Sequence, residues 1–238
     1  GPDTRVVAID WVNFLDGAIV DLDTVGAACR KRGIRLVVDA AQGAGALRLD
    51  LRTTPVDILA APSHKWLLGP EGCGILHISR QLQEQVEPVE FGWTNVAAYS
   101  DYASRDMTLR PDAGRYECGT LNTVGCFGLR AAIDFLLGVG IENIAAVVRG
   151  LAGQIADGVR RQGYEVLGEP NAGIVSFRKP GLDSAAMVAK LKEHAIVAAP
   201  RAGWVRTSPH FYIAPEEIAK MVELLGNPET RDSTLNHQ

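Results

Sequence analysis

The stretch Leu36-Val37-Val38-Asp39 ends a short apolar run with a carboxylate, and further along Ser63-His64-Lys65-Trp66 presents an amine. Lys65 stands between a second apolar run, Ile58 to Pro62, and a glycine-rich turn, Gly69 to Gly72. Ligands of α/β sheets gather beyond the carboxyl ends of parallel strands. We therefore predict that Asp39 and Lys65 follow two neighbouring parallel strands and meet at one edge of a sheet.

Strand and helix patterns alternate on both sides of these two stretches. The pattern predicts strands at Arg5–Val12, Ile34–Ala40, Asp57–Ala61 and Gly74–Ile78, and helices at Asp21–Arg32 and Arg80–Glu87. Such alternation indicates an α/β layer with a mainly parallel sheet. The polar, irregular stretch from Phe91 to Arg115 predicts a long functional loop or an interface segment.

The C-terminal part has a different texture. The pattern predicts helices at Asn122–Leu137, Ile141–Gln162, Ser184–His194 and Pro215–Leu225, and strands at Tyr164–Leu167, Ile174–Phe177, Ile196–Val197 and Trp204–Arg206. This mixture indicates an α+β domain. We predict part of a large domain over residues 1–140, a C-terminal small domain over residues 141–226 and a polar tail over residues 227–238.

Composition narrows the function classes. The chain has 238 residues, of which 47% are hydrophobic, so a sizeable core is expected. A net charge of −4 with interspersed acids and bases argues against a nucleic-acid or anionic-membrane surface. No apolar run approaches the roughly 18 residues that span a bilayer, and no secretory leader is visible. The four cysteines lack C-x-x-C spacing, which predicts buried, reduced thiols in a cytoplasmic protein.

The amine and the carboxylate suit one cofactor, pyridoxal 5'-phosphate. This cofactor needs an amine to hold its aldehyde and an acid to keep its pyridine nitrogen protonated. Lys65, in a partly desolvated pocket, supplies the first as an imine. Asp39 supplies the second through a charge-assisted hydrogen bond.

Further residues match the remaining needs of this cofactor and its substrate. The Gln42 amide suits the phenolic oxygen of the ring, Ser63 and His64 suit the phosphate, and Arg206 suits a substrate carboxylate. Each residue alone has an ordinary explanation, because an aspartate after a strand usually caps a turn and a lysine is usually solvated. Their combined order and spacing favour the cofactor interpretation.

Two other functions are weakly supported by the sequence. The five histidines are scattered, and no His, Cys and carboxylate cluster has metal-ligand spacing. Neither a phosphate-binding G-x-x-x-x-G-K-[ST] loop nor a G-x-G-x-x-G loop after a strand is found. We therefore predict no metal site and no nucleotide site.

Four ordered motifs carry a family resemblance: Asp39-Ala40-Ala41-Gln42, Ser63 to Gly74, Tyr116 to Asn122 and Val205 to Tyr212. With these motifs the chain, from about Val6 to Leu225, resembles the class V aminotransferase superfamily. That family includes cysteine desulfurases, isopenicillin-N epimerase-like proteins and C–S lyases. The resemblance implies the pyridoxal-phosphate-dependent transferase fold.

The resemblance also implies roles for matching residues. Lys65 would carry the cofactor and shuttle the substrate's α-proton, while Asp39 would bind the pyridine nitrogen. Thr120 would reach the phosphate held by the partner subunit, which implies a homodimer. Arg206 would hold the carboxylate of a small amino-acid-like substrate. Asn13 lies near a position over the cofactor, although it equally suits a turn at the end of a strand.

The resemblance leaves the reaction open among transamination, β-elimination or C–S lysis, and epimerisation. The loop Ala198 to Gly203 lacks the cysteine that cysteine desulfurases place there, so the epimerase-like and C–S lyase branches are favoured. Family elements that precede the strand at Arg5 are absent. We therefore expect either a trimmed chain or a second chain that supplies the N-terminal half. The alternative function is a non-catalytic or half-site subunit that acts by binding a partner chain.

Overall fold

The computed structural model describes residues 1–227, which form two compact units. The first unit comprises Gly1–Asp10, Asp21–Ala41 and Leu49–Phe135. The second comprises Trp11–Val20, Gln42–Arg48 and the chain from Leu136 onward. The predicted division near residue 140 stays a prediction, and residues 228–238 of the predicted tail lie outside the described residues.

The first unit contains a four-stranded sheet made of β1 (Val6–Asp10), β2 (Arg35–Asp39), β3 (Ile58–Pro62) and β4 (Gly74–Ile78). The strands lie in the order β1-β2-β3-β4. The first three are parallel, and β4 is antiparallel to β3. The predicted mainly parallel α/β sheet is therefore confirmed.

The two faces of this sheet differ in burial. On one face Leu36 and Val38 are fully buried, as the alternation of side chains along a strand requires. On the other face Val6 is 52% exposed and Leu76 is 50% exposed. Asp39 belongs to this second face, which we call the open face, because its register partner Ala60 pairs in turn with Leu76.

Helix α1 (Leu22–Lys31) begins at a side-chain cap, where the Asp21 carboxylate accepts from the Thr24 amide. Gly33, with a φ of 67°, follows its end. Helix α2 (Arg80–Gln83) is shorter than the predicted helix Arg80–Glu87. In a longer helix the Gln83 carbonyl would accept from the Glu87 amide, but here it accepts from the Arg115 side chain at 2.7 Å.

The cysteines differ in burial. The prediction of buried thiols is confirmed for Cys29 and is wrong for Cys118 and Cys126, which are exposed; Cys73 is half-buried.

The irregular segment that follows α2 is ordered mainly by side-chain contacts. The buried Asn95 accepts from the Gly92 amide and donates from Nδ2 to the Arg115 carbonyl at 2.6 Å. A single bridge, Val96 to Leu109, and a short 3₁₀ helix, Ala113–Tyr116, are its regular features. The prediction of a long loop here is confirmed.

The remaining elements, in chain order, are α3 (Thr123–Val139), α4 (Ile141–Arg161), β5 (Glu165–Val166), β6 (Val175–Arg178), α5 (Ser184–Glu193), β7 (Ala199–Arg201), β8 (Trp204–Thr207) and α6 (Pro215–Gly226). The second sheet is antiparallel, in the order β5-β6-β8-β7. The buried core of the second unit includes Ile155, Phe177, Leu191 and Leu225. Within residues 1–227, no helix alone has the length and apolarity to cross a bilayer; α3 and α4 meet that test only as a pair.

The predicted strand at Ile196–Val197 is wrong, because Val197 is 89% exposed and the strand β7 lies at Ala199–Arg201. The two-residue turn before β8 moves the strand. Ala202 and Gly203 both have positive φ, at 49° and 80°. A two-residue hairpin turn of type I′ requires this conformation at both central residues. The turn therefore pairs Arg201 directly with Trp204.

Candidate active site

Lys65 lies on a tight loop, residues 63–69, that directly follows β3; we call it the Lys65 loop. The Ser63 amide donates to the Cys73 carbonyl at 3.0 Å, and the Gly69 amide donates back to the Ser63 carbonyl at 2.8 Å. Trp66 and Leu67 are buried, at 5% and 7% exposure, while Lys65 is exposed. The loop is thus anchored by two apolar side chains and presents the amine outward.

Close packing fixes the end of the Lys65 loop. A Cβ on Gly69 would lie 2.8 Å from the Ser63 Cβ and 3.1 Å from the Leu129 Cδ1. Leu68 has a φ of 56°, in the left-handed region that L-residues rarely adopt. Such strain persists only where the surroundings hold it, and it is frequent at functional sites.

Asp39 ends β2 beside the strand that carries the Lys65 loop. Its residue partner in β3 is Ala60, and Lys65 follows β3 after Pro62. The Asp39 Oδ1 accepts from the Ala41 amide at 2.8 Å, which orients the carboxylate, and the residue is exposed. The structure therefore places the acid and the amine at adjacent strand ends of one sheet.

The two predicted phosphate contacts differ in their surroundings. His64 is exposed next to Lys65. Ser63 is 0% exposed, and its hydroxyl donates to the Pro70 carbonyl. A phosphate oxygen needs a donor, and this hydroxyl proton is already used within the loop. The phosphate role of both residues stays a prediction.

Arg206 lies on β8 in the second unit, with an environment suited to an anion. Its Nη1 donates to the Phe14 carbonyl at 3.0 Å. Its Nε is buried and has no hydrogen-bond partner among the described residues. Burial and the nearby charge of Arg201 lower the pKa of the Arg206 guanidinium. A carboxylate would pair the orphan N–H and offset the adjacent positive charge.

Asn13 shapes the loop whose Phe14 carbonyl accepts from Arg206. The Asn13 Oδ1 accepts from the Leu15 amide at 2.9 Å and from the Asp16 amide at 3.3 Å. The Leu15 carbonyl in turn accepts from the buried Ser176 hydroxyl. Asn13 therefore serves as the turn residue that the sequence left as an alternative, and its place over a cofactor stays a prediction.

Gln42 and Thr120 complete the predicted set. Gln42 belongs to the second unit, whereas Asp39 belongs to the first. Thr120 is exposed just before α3, and its neighbour Gly119 accepts from the Thr94 hydroxyl at 3.3 Å. Sequence reasoning missed Arg201 and the Phe14 carbonyl, because their relation to Arg206 arises from folding and has no local sequence signal.

Taken unit by unit, the surroundings of Asp39 and Lys65 fit pyridoxal phosphate, and those of Arg206 fit a carboxylate. An exposed lysine and an exposed carboxylate lie at adjacent strand ends, which suits a ring with an aldehyde and a basic nitrogen. The unpartnered Nε of Arg206 suits a carboxylate. The described part of the chain holds no group of three or more His, Cys, Asp or Glu residues arranged for a metal ion.

Comparison with known proteins defines the class. Residues 1–210 match the model of the aminotransferase class-V family. The chain therefore belongs to the class V aminotransferase family, and the predicted family is confirmed.

Individual relatives agree with this assignment. A probable cysteine desulfurase of Methanothermobacter thermautotrophicus is 30% identical over 93% of this chain and 60% of its own length. Isopenicillin N epimerase of Streptomyces clavuligerus is 32% identical over 94% of this chain and 60% of its own length. A mutant of C-DES with glycine covalently linked to its PLP cofactor superposes with a TM-score of 0.88 at 28% identity, over 95% of this chain and 61% of that one.

The chain spans about 60% of the length of these relatives. The fold-type prediction is confirmed by the superposition with C-DES. The named activities of the relatives support pyridoxal phosphate as the cofactor and an enzymatic role, and they do not favour the non-catalytic alternative.

Proposed function

We propose that the chain is the core of a pyridoxal-phosphate-dependent enzyme that acts at Cα of a small amino acid. The observation that carries this proposal is the position of Asp39 and Lys65 at adjacent carboxyl ends of parallel strands. Bound pyridoxal phosphate supplies an electron sink for the electrons left when a bond to Cα breaks.

Lys65 holds the cofactor and then moves the α-proton as a general acid–base. Asp39 keeps a proton on the pyridine nitrogen through a charge-assisted hydrogen bond, and its own carboxylate is held in place by the Ala41 amide. His64 is the more accessible phosphate donor, and Ser63 shapes the Lys65 loop through its bond to Pro70.

Arg206 binds the substrate carboxylate through its guanidinium. Gln42 contacts the phenolic oxygen, and the exposed Thr120 contacts the phosphate bound by a second copy in a cytoplasmic homodimer. The hairpin turn at Ala202 and Gly203 contains no cysteine, so we favour C–S lysis, epimerisation or transamination over persulfide transfer to that turn.

Borohydride reduction of the protein loaded with pyridoxal phosphate tests the attachment site. Mass spectrometry after digestion should find the cofactor mass on Lys65. The Lys65→Ala variant should lose the label, whereas Lys192→Ala, at an exposed lysine of α5, should keep it. Label retained in Lys65→Ala would remove Lys65 from the proposal.

The three reactions share removal of the α-proton, so exchange of that proton in deuterated water tests the function before the subtype is known. NMR of an amino-acid panel should show exchange that depends on Lys65. Product analysis then distinguishes the three reactions. Transamination yields a keto acid together with an aminated cofactor. Epimerisation yields a racemised amino acid, and C–S lysis yields a keto acid together with a released thiol or persulfide.

Arg206→Ala should raise the KM of carboxylate-bearing substrates by about tenfold or more, because a charged hydrogen bond contributes about 1.5–3 kcal/mol. Arg206→Lys should restore part of this loss. Arg178→Ala is the control, since Arg178 pairs with Glu165 and lies 4.3 Å from the Trp204 ring. Equal KM changes in Arg178→Ala and Arg206→Ala would contradict the assignment.

A further inference from the structure

A cavity of about 370 Å³ lies in the irregular segment of the first unit, and none of its lining residues belongs to the proposed cofactor and substrate set. Three aromatic rings form part of its wall: Trp93, Tyr99 and Tyr102. We call it the aromatic cavity. All three residues are exposed, and Tyr102 is 86% exposed. Grouped, exposed rings around a cavity indicate a binding surface, because large aromatic side chains are otherwise stabilised by burial.

The three rings are grouped around Trp93. The Trp93 ring centroid lies 6.2 Å from that of Tyr99 and 6.0 Å from that of Tyr102, with interplanar angles of 54° and 31°. A cation is attracted to the face of an aromatic ring when it lies within about 6 Å of the ring centroid. One small cation can therefore lie within reach of more than one of these rings.

Two carboxylates add negative charge to the same cavity. Asp101 and Asp106 line it, and no Lys, Arg or His is among its lining residues. Within residues 1–227, neither carboxylate takes part in an ion pair. Asp101 accepts from the Ala103 amide at 3.0 Å, and Asp106 accepts from the Thr108 amide at 2.9 Å. The Thr108 hydroxyl bond, followed by that of the amide, lowers the pKa of Asp106, so this residue is charged at neutral pH.

The backbone of the segment holds these side chains in position. The Ala97 amide donates to the Thr108 carbonyl at 2.8 Å, so the chain folds back on itself. Between these residues, the Asp101 amide donates to the Ala98 carbonyl at 2.9 Å, which turns the chain. A surface that is ordered before binding loses less conformational entropy when a ligand arrives.

Other ligands fit the aromatic cavity less well. An anion would meet two carboxylates without a counter-charge, and a purely apolar ligand would desolvate them without pairing them. The described residues hold no group of three or more His, Cys, Asp or Glu arranged for a metal ion. Arg110 lies 5.4 Å from the Tyr99 centroid, but it pairs with Asp112 and does not line the cavity. In the described part of the chain, no Lys or Arg lies over the ring of Trp93 or Tyr102.

We propose that the aromatic cavity binds a small organic cation that carries a quaternary ammonium group. The methyl groups of this cation would pack on Trp93 and Tyr102, and Asp101 and Asp106 would balance its charge. A quaternary ammonium has no N–H to donate, so the carboxylates act through charge and the rings through contact. This inference is independent of the proposed function.

The test is an NMR titration of the full chain with choline, beside the neutral isostere 3,3-dimethylbutan-1-ol. We expect saturable binding of choline and no saturable binding of the isostere over the same concentrations. Because the two carboxylates are exposed, the Kd for choline should rise with ionic strength.

Variants locate the binding site. Trp93→Leu and Tyr102→Leu should each raise the Kd for choline by about two- to fivefold, the usual contribution of one exposed ring. Tyr102→Phe should keep most of the affinity, because it keeps a ring. Asp106→Asn should also raise the Kd and weaken its dependence on salt. Tyr102 is 86% exposed, so its replacement should leave the fold intact.

Phe127→Leu is the matched control, since Phe127 is 79% exposed on α3 and does not line the cavity. Its Kd should equal that of the wild-type chain. The absence of saturable choline binding would overturn the proposal, as would binding of the neutral isostere with the same Kd. A Kd that rises as much in Phe127→Leu as in Tyr102→Leu would also overturn it.

Discussion

The two sheets of the chain differ in how their faces are covered. In the second unit, Val175 and Phe177 on β6 and Val205 on β8 are part of a fully buried core. In the first unit the open face leaves Val6 and Leu76 half-exposed. The antiparallel sheet is thus a packed scaffold on its core face, whereas the parallel sheet keeps exposed surface around Asp39.

This difference separates stability from chemistry. Core residues contribute to the free energy of unfolding through burial, since each square ångström of apolar surface removed from water stabilises the folded state by about 25 cal/mol. Asp39 and Lys65 are exposed and contribute little of that kind. Substitutions at Asp39 or Lys65 should therefore change activity, whereas substitutions in the core of the second unit should change the free energy of unfolding.

The largest expected effect is on chemistry in the first unit. Lys65→Ala should lower α-proton exchange by about 10²–10⁴-fold, the usual contribution of a general acid–base. The thermal unfolding midpoint should stay close to that of the wild-type protein, because Lys65 is exposed. The measurement is NMR exchange beside calorimetry. A large loss of stability would show that Lys65 is a structural residue.

The next largest effect is on stability in the second unit. Leu191→Ala should destabilise the protein by about 2–5 kcal/mol, because Leu191 is 0% exposed and its removal leaves a cavity. Leu76→Ala is the matched change on the open face and should cost no more than about 0.5 kcal/mol. Urea unfolding measures both. Similar losses would show that the open face is covered in solution.

The sequence predicted these two regions unequally. Short apolar runs located β1 to β4 closely, and helical spacing located α3 to α6 closely. The short strand β7 was misplaced, because its position depends on the positive φ of Ala202 and Gly203.

Motif order predicted Asp39, Lys65 and Arg206 as site residues, and these roles stay predictions. Asp39 and Lys65 do follow neighbouring strands of the first sheet, as expected where strand ends gather at one edge, whereas Arg206 lies on β8 of the antiparallel second sheet.

A smaller effect is expected at glycines of the two units. Gly69→Ala should cost about 1–3 kcal/mol, because the new Cβ would overlap Ser63 in a packed loop. In α4, Gly150 has nothing within 4 Å of an added Cβ, so Gly150→Ala should stabilise by about 0.5–1 kcal/mol. Thermal unfolding of both variants is the measurement. Stabilisation in both would show that the Lys65 loop relaxes freely.

The smallest expected effect concerns the cap of α1, where few residues are buried. The Thr24 hydroxyl donates to Asp21 at 2.6 Å, and this bond followed by that of the Thr24 amide lowers the pKa of Asp21. A carboxyl whose folded pKa is lowered stabilises the fold above its unfolded pKa and loses this contribution as pH falls through the folded value.

Asp21→Ala should therefore lower the unfolding midpoint slightly at neutral pH, and the gap to wild type should close below the ordinary aspartate pKa of 3.8. Calorimetry over a pH series measures the gap. Thr24→Val is the matched control, because it removes the hydroxyl bond but keeps the amide, so its gap should be smaller and close over the same range. A gap that does not change with pH would show that the Asp21 carboxylate does not support α1 and that burial of Leu22 and Cys29 holds this helix.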